Sequence, residues 1–278
     1  TVLLAPEDVL HAFGMSVYGA MAPMVGHPNS PVIMEPIFAI DMHVRALSTA
    51  SLGAMADIMR ATHLDEAIFA SLCRESDMYH VLQRCAILVS RMALTMPPPM
   101  FHDMVRATAS WPDLCRRLIS TSATLSHARS RKLVALGLAH MLRHASAQDK
   151  GLLSAVPDMI GMWTEVVGEV VEDEAGSADR YERELSPTRA LEIGEDGIPF
   201  LDEFGLIEAA PTPSSARTDA VRSRDPSFNV PLRAYVADTL NAVLQNGSYK
   251  TQLQSLLATI DPLVLDTLQR GLSERPVA

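Results

Sequence analysis

Helical periodicity interrupted at short intervals by proline and glycine constrains this chain more than any other feature. Between 79 and 94, Val81, Leu82, Cys85, Val89 and Met92 recur at three- and four-residue spacing, with Arg84 and Arg91 between them. That pattern predicts a helix with one apolar and one solvated face. Thr95-Met96-Pro97-Pro98-Pro99 ends it, because proline removes a backbone donor and pushes the preceding residue out of the α region. The same reasoning places helices near 7–22, 32–41, 43–60, 65–73, 100–109, 112–125, 127–146 and 157–172, most bounded by Pro, Gly or Ser/Asp signals. Aromatics make up 5% of the chain and Met occurs 15 times, which disfavours sheet and completes an all-α expectation.

The helix pairs recur every 35 to 45 residues, the period of HEAT or armadillo solenoids. An irregular helical domain with helices of the same length fits that spacing equally well. Late in the chain, Val236, Leu240, Val243 and Leu244 form one stripe and Leu253, Leu256, Leu257 and Ile260 another. Asp261-Pro262 then supplies a capping acceptor followed by proline at the first helical position, opening a final helix through Leu263, Val264, Leu265 and Leu268.

Charge divides the chain. Residues 1–150 hold 12 acids and 13 bases, whereas 165–208 hold 14 acids and 3 bases, so one segment carries the whole net charge of −10. Residues 173–228 show no helical period and are too long for a structureless loop within a compact domain. The expected division is therefore helical repeats over 1–172, an acidic, partly disordered insertion over 173–228, with partial order around Ile198 to Ile207, and helical repeats completing the same array over 229–278. Such an insertion suits a binding surface better than an active site.

The chain opens Thr1-Val2-Leu3-Leu4, with Glu7 and Asp8 close behind and no basic n-region. This predicts no signal peptide, and the lack of an initiator Met suggests a piece of a longer chain. The longest uncharged run, from Val9, is interrupted by Pro23, Gly26, Pro28 and Pro31, which argues against a membrane span. Cys73, Cys85 and Cys115 are unpaired in number and spacing; core packing in a reducing compartment is expected.

Chemistry finds little footing. His140 and His144 have the four-residue spacing of a helical metal pair, but Met141 stands where a zinc protease needs Glu; a solvated basic face is the expected reading. Glu192 to Glu203 echoes a calcium loop with Gly197 sixth and Glu203 twelfth, yet Glu192 replaces Asp and Gly194 has no ligating side chain. No nucleophile elbow or phosphate-binding loop occurs, so no catalytic, cofactor or metal residues are expected. Arg116, Arg117, Arg129, Arg131, Lys132 and Arg143 form an acid-free basic stripe between Leu114 and Gln148. With only Trp111 nearby for stacking, nucleic acid is not the expected partner; the stripe is a solvated surface or faces the acidic segment of the same molecule.

Three runs carry a family resemblance: Trp163-Thr164-Glu165-Val166-Val167-Gly168-Glu169-Val170; Asp225-Pro226-Ser227-Phe228-Asn229-Val230-Pro231-Leu232-Arg233-Ala234-Tyr235-Val236; and Leu256-Leu257-Ala258-Thr259-Ile260-Asp261-Pro262. Together they resemble the C-terminal part of importin-β (karyopherin-β) nuclear transport receptors, and most the importin-eleven type. The resemblance covers about 157–272. It implies a right-handed α-solenoid of HEAT-type hairpins acting as a cargo-binding arch, in a receptor shuttling between nucleus and cytoplasm. The implied partners are protein cargo, Ran GTPase and Phe-Gly nucleoporins. An acidic strip would steer basic cargo, with Glu172, Asp173, Glu174, Glu192, Glu195, Asp196, Asp202 and Glu203 as candidate contacts. The alternative is a static helical-repeat scaffold of a cytoplasmic or coat assembly.

Overall fold

A computed structural model describes residues 6–27, 33–74, 78–149, 151–176, 193–194, 198–199, 225–246 and 249–273; for 170–176, 193–194 and 198–199 it describes the backbone alone. The described chain is all-α apart from a two-residue antiparallel pairing of Ile193–Gly194 with Ile198–Pro199. Among the described residues nine α-helices precede that pairing: α1 (Pro6–Gly26), α2 (Met34–Ala46), α3 (Thr49–Ala61), α4 (Leu64–Cys73), α5 (Tyr79–Thr95), α6 (Pro98–Thr108), α7 (Trp111–Ser122), α8 (Ala128–Arg143) and α9 (Val156–Gly176). Four follow it: α10 (Pro226–Asn229), α11 (Leu232–Gln245), α12 (Lys250–Leu257) and α13 (Pro262–Ser273).

These helices stack in two rows. α2, α5, α8 and α11 each touch the next in one row, and α1, α4, α7, α9 and α13 do so in the other. Successive units begin at Pro6, Leu64, Trp111 and Val156. The first two exceed the expected period because a third helix, α3 or α6, lies between one hairpin and the next. This is a helical-repeat array, each unit burying its apolar face against its neighbours.

Position in the array decides what each helix buries. α5 has α2, α4, α6, α7 and α8 around it, and twelve of its seventeen residues are buried. The expectation of a solvated face through Arg84 and Arg91 is therefore corrected: both side chains are enclosed. α5 and α8 approach most closely at Gly137, where an added Cβ would stand 3.0 Å from Ser90 Cα; only glycine leaves room for backbone this near. Trp163 of α9 is fully buried and donates its indole N–H to the Ala135 carbonyl of α8 at 3.1 Å, so its polar edge is satisfied inside the core.

Two helix boundaries differ from expectation. α1 continues through Pro23 to Gly26. Pro23 and Gly19, whose carbonyl loses its partner, are both exposed, so water meets the freed oxygen. By length and composition α1 is the one described helix able to cross a membrane; here Leu10, Gly14, Tyr18, Ala22 and Val25 are buried and the helix packs on α3 and α4. The break expected after residue 41 falls instead at Leu47–Ser48. Asp41 stays helical, its carboxylate engaged by Arg91 and Arg45, and the Ser48 N–H donates to Glu7 across the array at 3.0 Å. The expected cap on the final helix is present, with Leu263 N–H donating to Asp261 at 2.8 Å.

Candidate functional site

Of the acidic residues expected to contact cargo, Glu172, Asp173 and Glu174 lie on the last turns of α9, where the backbone alone is described. Glu192, Glu195, Asp196, Asp202 and Glu203 lie outside the described residues, as does most of the Glu192 to Glu203 loop and of the Ile198 to Ile207 stretch. The boundaries drawn for the insertion shift at both ends: α9 runs on to Gly176, and 225–228 join the folded body.

Two acids of the same strip are placed. Arg131 of α8 reaches Glu165 at 3.1 Å and also Glu169, both on α9. Through Arg131 the basic stripe meets the first two acids of the strip. The other bases divide: Lys132 is buried, Arg116 pairs with Asp113 at 2.8 Å, and Arg129 and Arg143 lie over the rings of Phe228 and Tyr235 at 4.5 and 5.5 Å.

His144 is exposed, as a solvated face requires, but His140 is half-buried and departs from that expectation. The His140 ring stacks on Tyr235 of α11, with Nδ1 2.5 Å from the phenol oxygen, and lies 4.5 Å from the His144 ring. Burial, then the neighbouring His144, His102 and Arg143, push its pKa down to about 4. The pair is a joint between α8 and α11. Among the described residues no group of three His, Cys, Asp or Glu side chains is arranged to hold a metal ion. Cys85 and Cys115 are buried, and burial pushes each thiol up to about 12; Cys73 is half-buried. These are protonated core residues, not nucleophiles.

Two clusters built on buried carboxylates organise the polar interior. Asp149 accepts from Arg106 at 2.7 Å, Trp111 at 3.1 Å and His102 at 2.9 Å, and from the Ser146 N–H and hydroxyl. These donors come from α6, α7 and the turn itself, and they fix the turn before α9. The second cluster joins distant parts of the chain. Arg91 of α5 donates through Nε to Asp41 of α2 at 2.7 Å and through Nη1 to Asp225 at 2.6 Å. Arg45 donates to Asp41 at 2.7 Å and lies 3.9 Å from Asp225, whose other oxygen accepts from the Ser227 N–H and hydroxyl at 2.9 and 2.8 Å.

Burial raises both carboxyls, but the two guanidiniums outweigh it and hold Asp41 and Asp225 below the usual carboxylate range. For Arg91 burial opposes the charge, and the two carboxylates overcome it and hold its pKa above the ordinary value. The cluster stays fully ionised at neutral pH because opposite charges compensate each other out of water.

Sequence reasoning misses this cluster, although its parts are in view: Asp225 opens one of the runs that carry the family resemblance, and Arg91 stands on a face expected to be solvated. A cleft of about 540 Å³ opens beside the cluster, walled by Val44, Leu47, Leu52 and Leu94, with Arg45, Arg91 and Asp225 at one side. A volume of this size admits a few side chains of an extended segment.

A protein-family model described as "Importin-11-like, TPR repeats" matches residues 1–273. No curated protein and no solved structure matches the chain.

Proposed function

Because the chain belongs to the importin-11-like family, we propose that it is a cargo-binding portion of a nuclear transport receptor. The observation that carries the reading is the family match over nearly the whole chain, together with the two-row array of helical units. Stacked units offer long lateral surfaces and give a little at each interface, which suits a protein that holds other macromolecules of differing shape. The finer points belong to the same proposal: a right-handed array of HEAT-type hairpins forming an arch, cargo release governed by Ran in its GTP state, contact with Phe-Gly nucleoporins, and shuttling between nucleus and cytoplasm.

The acidic insertion between α9 and α11 is the proposed cargo contact, through Glu172, Asp173, Glu174, Glu192, Glu195, Asp196, Asp202 and Glu203. Its charge would steer basic proteins by long-range attraction, raising the association rate most at low salt.

A histone-like or ribosomal protein provides the test. Binding measured from about 50 to 300 mM salt should weaken steeply, and replacing those eight acids by Asn or Gln should reduce capture and flatten the salt dependence. Equal binding by the neutralised chain would remove the acidic strip from the cargo site. A pull-down with the longer receptor, with and without Ran locked in its GTP state, separates a transport receptor from a static scaffold.

A further inference from the structure

The stretch that returns from the insertion crosses one face of the first row. α10 lies against both α5 and α8, with Asp225 held by Arg91 and Arg45 and the Phe228 ring 4.5 Å from the Arg129 guanidinium. Three successive helices of the row, α2, α5 and α8, therefore each present one arginine to this short strap. The strap answers with a carboxylate and, three residues on, an aromatic ring.

Its anchoring resembles that of a bound peptide more than that of a core element. Asp225 and Ser227 are buried, while Pro226, Phe228 and Val230 are half-buried, so no large apolar side chain of the strap is enclosed. A buried ion pair adds little net stability compared with apolar packing, but it selects strongly for the group that completes it. A guanidinium over an aromatic ring adds selectivity of the same kind. Beside Asp225 and Pro226 the cleft continues past the strap, with walls of Val44, Leu47, Leu52 and Leu94.

We propose that the arginine-bearing face of α2, α5 and α8 is a recognition surface for short partner segments that form one helical turn with a carboxylate and an aromatic ring three residues apart, and that residues 225–230 occupy it as an internal ligand. The partner is thus an acidic, aromatic-containing peptide segment of another protein. It exchanges with the strap at Arg91 and Arg129 and places neighbouring apolar side chains in the cleft. This site is opposite in charge to the acidic insertion and uses none of the eight proposed cargo acids, so it stands or falls independently of the cargo reading.

The probe is a fluorescent nonapeptide with the sequence of residues 224–232. A tethered strap competes at an effective concentration on the order of millimolar, so the peptide should bind the Phe228→Ala chain at least tenfold more tightly than the unaltered one. The peptide carrying Asp225→Asn and Phe228→Ala should bind neither. On the unaltered chain, millimolar peptide should speed amide hydrogen exchange at 227–230 at least threefold while α5 stays protected; this second measurement needs no substitution. Failure of the peptide to bind the Phe228→Ala chain, equal binding by the altered peptide, or unchanged exchange in the strap each overturns the proposal.

Discussion

The middle of the array and its closing helices are built by different rules. In α5 twelve of seventeen residues are buried; in α11 four of fourteen are, and in α13 Leu268 alone. A helix in the middle has partners on every side and is held by dispersed apolar contact. The closing helices each bury one stripe and depend on a few specific joints: Asp225 on Arg91, Tyr235 on His140, and Gly271 of α13 close enough to α9 that an added Cβ would meet Val167 at 2.9 Å. Stability is accordingly uneven, and local opening should begin in the closing helices.

Four experiments test that contrast. The largest effect belongs to Trp163→Ala, which leaves a cavity between α8 and α9 and removes the indole hydrogen bond to the Ala135 carbonyl; a loss of about 4 kcal/mol in denaturant unfolding is expected. A loss below about 1 kcal/mol would show that the middle rows are no better packed than the end.

Asp225→Ala comes next. It leaves Arg91 buried with only Asp41 to balance it and Arg45, and should lose about 3 kcal/mol. The signature is regional: exchange should quicken in α10 and α11 far more than in α5. Uniform acceleration would erase the distinction between the two regions.

A smaller effect should appear on acidification. The folded pKa of His140 lies at about 4, below the ordinary 6.5, so the unfolded chain takes up its proton first. The stabilisation is complete above about pH 6.5 and is lost as pH falls toward 4. His144 is shifted in the same direction by burial and Arg143. Asp41 and Asp225, held below the carboxylate range, contribute their losses only at more acid pH. Protection factors in α11, corrected for the intrinsic exchange rate at each pH, should therefore fall between pH 6.5 and 4.5 while those in α5 hold, and a flat α11 profile would discard the joint.

The smallest change is expected for Arg131→Ala. Its partner Glu165 is 67% exposed, so the pair should contribute about 0.5 kcal/mol or less and fade with salt. A larger loss in melting experiments would mean that the contact between the basic stripe and the acidic strip does more than join two helix surfaces.

Much of the fold was legible from periodicity. The stripe of Val81, Leu82, Cys85, Val89 and Met92 with its proline stop fixed the place of α5, and Asp261-Pro262 marked the start of α13, because both signals act over a few residues. The boundary between α2 and α3 was not legible. Asp41 remains helical on account of Arg91, fifty residues away, and Ser48 is met by Glu7 from α1. The roles of His140, Arg84 and Arg91 were misjudged for the same reason: a charge on a helix reads as solvated unless its partner is known.

Propensity, breakers and charge are local properties, and they were enough to specify an all-α chain whose net charge is concentrated in residues 165–208. Three-dimensional contact alone encloses α5, closes an ion cluster on Asp225 across 134 positions, and lays the strap over the face of α2, α5 and α8. Those facts depend on which residues meet through space, and a buried charge shows its purpose only when the opposite charge that compensates its loss of water is in place.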